Sequence, residues 1–249
     1  MPTSTPIRDH SPEAISERLA LGPNPSYLKD FVYGAIDGAI TTFAVVSGVA
    51  GAGLAAAVII ILGLANLLAD GFSMAVSNYL ATRAEGQLRD KTRAEEHWEI
   101  SHHPEGEREE IRQIFARKGF SGRQLEEAVT IITADRERWV DTMLQEEHGL
   151  SLQPQAALRA AVTTFVAFFS IGALPLLTFL VNWRVPGTFA HPFFWSAGLT
   201  GIAFFCVGAL KGRFVNHPWY RSGLETAVVG GIAAALAYGV GLLLRDLVA

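Results

Sequence analysis

Two long apolar stretches of this chain each contain one charged residue, and both are aspartates. Asp37 is alone in Phe31–Gly53, and Asp70 is alone in Leu54–Thr82. A carboxylate near the middle of a lipid bilayer costs at least ~2.5–3.5 kcal/mol on insertion scales. Each therefore needs a partner, a water-filled cavity or a function. In ANLLADGFSMAVSNYLATRAE, Asn66, Asp70, Met74 and Asn78 recur every four residues, which sets them in a row on one helix face. Ser73 and Ser77 flank the row. A lone methionine there is ordinarily packing, and the carboxylates could simply tie helices together by hydrogen bonds. The functional alternative is an ion path. Carboxylates suit hard and borderline divalent cations, and a thioether adds a preference for softer ones. The mixed set points to a transition metal such as Fe²⁺ rather than Mg²⁺. Neither stretch has enough ligands alone, so the two must converge, from one subunit or from two.

A second group of candidate ligands lies in RAEEHWEISHHPEGEREEIRQIF and WVDTMLQEEHGL. Glu96 and Glu99 are three residues apart, as are Glu107 and Glu110, and Met143 and Glu147 are four apart. Each pair shares a helix face. Three helices can thus aim five carboxylates and one thioether into a common space. Like charges so crowded repel unless cations neutralise them. The competing reading is a solvated surface, with the glutamates interleaved with Arg89, Arg93, Arg108 and Arg112. His97, His102, His103 and His148 are further candidate ligands nearby. A phosphate-binding glycine loop and a nucleophilic triad are both missing, and HHPE lacks zinc-hydrolase spacing. An ATP-driven pump is not expected, and neither is an enzyme.

Composition defines the elements that must hold these residues. Half of the 249 residues are hydrophobic, mean hydropathy is +0.27, and charged residues make up 18%, against ~25% in soluble domains. Between Glu85 and Leu152 lie 16 of the 24 acidic and 10 of the 20 basic residues, so the remainder is very apolar. The pattern is an all-α membrane protein with one polar insert. A net charge of −4 gives no indication of nucleic-acid binding. The single cysteine, Cys206, rules out an intramolecular disulfide or a Cys-based metal site within one chain. The N-terminus carries acids and prolines without an apolar core, and is not expected to be a cleaved signal peptide.

About 20 apolar residues cross a bilayer as a helix, and five stretches qualify: Phe31–Gly53, Leu54–Thr82, Ala160–Val181 with a kink expected at Pro175, Pro192–Leu210 and Ser222–Leu244. Gly51 to Gly53 make the first two a tight hairpin. Arg18, Lys29, Arg83, Arg89, Lys91, Arg93, Arg159, Lys211, Arg213 and Arg221 all fall on one side, and Arg184 and Arg245 on the other. Positive charge favours the cytosol. The expected topology has the N-terminus and the insert cytosolic and the C-terminus outside. The expected divisions are a cytosolic tail (1–30), the first two spans as the ion path (31–84), a cytosolic Glu-rich helical domain (85–153) and spans three to five (154–249). Within the insert three helices are expected. The first continues the second span through Ile100 and stops at His102-His103-Pro104. The second runs from Glu105 to Lys118, and the third is capped by Ser121 and stopped by Gly149. Leu125, Val129 and Ile132 recur at helical spacing and are expected to pack inward.

DFVYGAIDGAITTFAVVSGVAGA, ADGFSMAVSNYLATRAE and the insert ending WVDTMLQEEHGL resemble the vacuolar iron transporter family, in its bacterial-type form. The resemblance runs from about Asp30 to the C-terminus. It implies a homodimer with five transmembrane helices per subunit and a pore at the dimer interface lined by the first two helices. It also implies exchange of cytosolic Fe²⁺, with Mn²⁺ as an alternative cargo, for protons. Position by position it implies Asp37 and Met74 as pore residues. Glu96, Glu99, Glu107, Glu110, Glu147 and Met143 are implied as metal ligands of the insert. The metal is substrate, and no permanent cofactor is implied. Plant members have a Glu where this chain has Asn66, and Asp70, one turn on, is the expected replacement. They have a second methionine where this chain has Leu144. Two other readings remain open from sequence: a membrane metal buffer or sensor, and a carrier for Ca²⁺ or Zn²⁺. An intramembrane aspartyl hydrolase would leave the Glu-rich insert idle.

Overall fold

The computed structural model describes residues 9–21, 26–153 and 155–247, and every regular element among them is helical. Helix α1 (Pro12–Leu21) lies in the tail, where no element is expected from sequence; residues 1–8 and 22–25 of that tail lie outside the described residues. Helices α2 (Leu28–Gly51) and α3 (Ala56–His102) form the expected hairpin. Gly53 turns it with φ of +71°, a conformation that costs glycine little. Helix α3 has 47 residues and is therefore about 70 Å long. The hydrocarbon core is only ~30 Å thick, so the second half of α3 must project beyond the membrane. No proline interrupts it, and it carries Asp70 and Glu96 on one rigid rod.

The insert is built from the end of α3 with α4 (Pro104–Arg117), α5 (Gly122–Thr133) and α6 (Arg136–Glu146). The single helix expected between Ser121 and Gly149 is thus two helices. Asp135 leaves helical geometry, and its side chain accepts the Arg138 backbone N–H to cap α6. Local hydrogen bonding of this kind competes with helix continuation. The expected Ser121 side-chain cap is not formed, although Ser121 is extended and starts α5. Val129 is buried, with Leu125 and Ile132 packed beside it, against Ile100, Ile111, Trp139, Val140, Met143 and Leu144.

The apolar remainder holds α7 (Ala157–Gly172), α8 (Leu174–Arg184), α9 (Pro192–Phe214) and α10 (Trp219–Leu243). The expected third span is α7 and α8 together, bent by 52°. Pro175 sits in the first turn of α8. It has no N–H to continue the ladder and crowds the preceding turn. The Ser196 hydroxyl donates to the Pro175 carbonyl at 2.6 Å, fixing the bend against α9. Four helices are long and apolar enough to cross a membrane, and the bent pair counted as one makes five.

Helix α2 is the centre of the bundle and packs on α3, α7, α8, α9 and α10. A Cβ on Gly38 would lie 2.3 Å from the Phe168 carbonyl oxygen, and one on Gly34 would lie 2.4 Å from that of Thr164. Small residues spaced in this way let helices approach closely, and here the partner is α7, backbone against backbone. Helix α3 lies at the edge. Of its apolar window 22% is buried, against 50% for α2, so its outer face is left to lipid or to another chain.

Candidate ion path and acidic cluster

Two hydrogen bonds fix the register of α2 on α3. The Asn66 amide donates to Thr41 Oγ1 at 3.3 Å, and the Asn78 amide donates to Asp30 Oδ1 at 2.8 Å. In that antiparallel register Asp70 falls level with Asp37. Asp37 is half-buried and borders an apolar groove of about 580 Å³ lined by Val32, Tyr33, Ile36 and Ile40, with Lys29 and Lys211 also on its wall. Asp70 is exposed on the surface of the single chain, among exposed Leu68, Phe72 and Ser73. Among the described residues neither carboxylate has a side-chain hydrogen bond or ion pair. Met74 is half-buried against the apolar core. The expected row is thus divided: Asn66 ties α3 to α2, Met74 packs, Asn78 bridges helices, and Asp70 opens outward.

Asn78 also donates to Thr164 Oγ1 at 2.8 Å, so α2, α3 and α7 meet at this amide. Asp30, its other partner, is 7% exposed and has Oδ2 buried without a hydrogen bond. Asp30 is not among the candidate residues that the sequence singles out. The available signal was its position two helical turns before Asp37, on the same face.

In the insert, Glu96 and Glu99 on α3 and Glu107 on α4 offer oxygens that all lie within 4.8 Å of one another. A second set, also mutually within 4.8 Å, is Glu96, Glu147 and His148. Glu110 lies near Glu147, Glu96 and Glu99 and so adjoins both sets. The expected glutamates therefore converge, with Glu96 common to both sets. Glu96 is 2% and Glu107 5% exposed, and Oε2 of each is buried without a partner. Met143 is fully buried in the apolar core, one turn before Glu147. Gly149, with φ of +65°, ends the helix and leaves Glu147 and His148 at its terminus.

The arginines are engaged elsewhere. Arg93 pairs with Glu137 and Asp141, Arg112 with Glu109 and Glu126, and Arg89 with Asp90. Arg108 lies over the Trp139 ring. Among the described residues, the only cationic group against the five glutamates is His148, whose Nε2 is 2.8 Å from Glu96 Oε1 and 3.7 Å from Glu147 Oε2. Glu107 is pushed up to about 8 by burial and by the charges of Glu110, Glu96, Glu99 and Glu147. Burial, then the charge of Glu147, raises Glu110. Burial raises Glu96 too, partly offset by its bond to His148. Burial opposes the charge of His148, but the bond to Glu96 and the surrounding carboxylates outweigh it and raise the imidazole above its ordinary range. The result is a cluster of carboxyl groups and one imidazole, a donor set suited to cations that take oxygen and nitrogen ligands.

Fold and composition define a multi-pass helical membrane protein with a carboxylate-rich helical insert. The model of the VIT family matches residues 28–242, and the chain belongs to that family. It is 34% identical over 226 residues to a vacuolar iron transporter of Toxoplasma gondii, covering 88% of this chain and 74% of that protein. It is 30% identical over 213 residues to vacuolar iron transporter 1 of Arabidopsis thaliana, covering 85% and 83%. With vacuolar iron transporter 1 of Oryza sativa subsp. japonica it shares 29% over 214 residues, covering 86% and 83%.

Proposed function

We propose that this protein is a proton-coupled divalent transition-metal transporter that carries Fe²⁺, with Mn²⁺ as a second cargo, out of the cytosol. The observation that carries the reading is the absence of arginine or lysine partners for the carboxylates at both levels of α3, among the described residues. At one level are Asp37 and Asp70, and at the other Glu96, Glu99, Glu107, Glu110 and Glu147. The names of the relatives support iron as cargo. In this reading the N-terminus and insert are cytosolic, the insert captures metal, and the chain crosses the membrane five times. The exposed position of Asp70 supports a homodimer, because a lone carboxylate facing lipid is costly and a second copy would enclose it in a shared path. Asn66, Met74 and Asn78 line or brace that path. The metal is substrate, and no resident cofactor is assigned.

The test is uptake by the purified protein in proteoliposomes under an imposed pH gradient, with Fe²⁺, Mn²⁺, Zn²⁺ and Ca²⁺ in competition. Saturable Fe²⁺ uptake, displaced by Mn²⁺ more readily than by Ca²⁺, is expected. Metal binding without flux would make the protein a buffer or sensor. Dominant Ca²⁺ flux would assign a different cargo.

A further inference from the structure

We propose that His148 is a nitrogen ligand of the insert's cation site, completing with Glu96 and Glu147 a mixed imidazole–carboxylate set that favours first-row transition metals over alkaline-earth ions. This rests on reading the insert as metal-binding and identifies the residue that gives it selectivity. His148 Nε2 lies 2.8 Å from Glu96 Oε1 and 3.7 Å from Glu147 Oε2. Two ligands each about 2.1 Å from one metal ion are about 3.0 Å apart on adjacent octahedral positions and about 3.4 Å apart in a tetrahedron. The observed spacings bracket both values, so an ion fits with small side-chain shifts. Glu96 is almost completely buried, and its second oxygen lacks a partner although the histidine holds the first. An ion pair with His148 alone leaves that oxygen unsatisfied, whereas a bound cation and its water would use it.

The other insert histidines are turned away. His97 accepts from Arg136 Nε and lies 3.4 Å from Glu137. His102 stacks on Trp98 and bonds its carbonyl at 2.8 Å, and His103 meets the edge of the same ring. Imidazole is a good ligand for Fe, Zn and Ni, while Ca²⁺ takes 6–8 oxygens at longer range. Replacing an oxygen by this nitrogen therefore biases the site against Ca²⁺.

The experiment uses the full-length protein in detergent, stripped by a chelator and then loaded with Mn²⁺. Pulsed electron paramagnetic resonance should show ¹⁴N modulation from a coordinated imidazole. The modulation should vanish in His148→Ala and persist in His97→Ala. In the same His148→Ala protein, Co²⁺ affinity should fall by at least about tenfold, the scale associated with groups that support a metal site, with Ca²⁺ affinity nearly unchanged. Mn²⁺ bound to the wild type without ¹⁴N modulation overturns the assignment and leaves the metal-binding reading intact. So does a modulation, or a Co²⁺-to-Ca²⁺ preference, that survives His148→Ala. A wild-type protein that retains no metal overturns both.

Discussion

Asp37 and Asp70 are level on facing helices, and among the described residues neither carboxylate has a side-chain hydrogen bond or ion pair. Asparagine keeps the size of each side chain and removes the charge. Asp37→Asn and Asp70→Asn are each expected to abolish or strongly reduce Fe²⁺ flux while the protein still inserts and dimerises, as measured by proteoliposome uptake beside a size-exclusion profile. Wild-type flux in Asp37→Asn would remove that residue from the path. Wild-type flux in Asp70→Asn alone would show that Asp70 does not stand in for the glutamate of plant relatives. The convergence of Glu96, Glu99, Glu107, Glu110 and Glu147 was legible because i,i+3 spacing puts like charges on one helix face and helices pack by their faces. Which arginines would neutralise them was not legible. That depends on Glu109, Glu126, Glu137 and Asp141, which come near through tertiary packing. His148 was visible as a candidate only, since its direction is set by the backbone turn at Gly149.

At the scale of elements, two contacts make opposite predictions for the same substitution. A methyl at Gly38 meets the backbone of α7 at 2.3 Å, whereas nothing lies within 4 Å of the site a methyl would take at Gly201 on α9. Gly38→Ala should lower the melting temperature in detergent, through overpacking worth about 1–3 kcal/mol, and Gly201→Ala should leave it unchanged or slightly higher. Equal melting of the two would mean that α2 and α7 are not in backbone contact. The insert should respond to pH through α4. Glu107, raised to about 8 when folded, favours the folded state while protonated. Its contribution is fully present below pH 4.5 and is lost as pH rises towards 8. Glu96, Glu110 and His148 are also raised and act with the same sign. Metal-free protein should therefore lose hydrogen-exchange protection in α4 and α6 between pH 5 and pH 8.5, after correction for intrinsic exchange, and regain it when Mn²⁺ is added. Protection that is flat with pH would sink the crowded-carboxylate account. The hairpin, the uninterrupted α3 and the bend at Pro175 were all legible from apolar run length, Gly and Pro. The division between α5 and α6 was not, because Ala134-Asp135 contains no strong breaker and Asp135 ends one helix only by capping the next.

For the whole molecule, the two copies of Asp37 and Asp70 in a homodimer would bring four carboxylates into one low-dielectric passage. Such a group cannot stay fully ionised without a cation, so protons must occupy part of it when metal leaves. Metal entry would expel those protons, and metal exit would readmit them from the receiving side. Exchange, rather than leak, follows if the passage is never open to both sides while its carboxylates are bare. Flux should therefore rise when the receiving compartment is acidified. A pH-sensitive dye trapped in proteoliposomes with an acidic lumen should report alkalinisation as Fe²⁺ enters, in proportion to the metal transported. The double variant Asp37→Asn with Asp70→Asn should abolish both signals together. Fe²⁺ accumulation at the same rate without a pH gradient, and without proton movement, would make the protein a uniporter or channel and leave the aspartates as a binding site only.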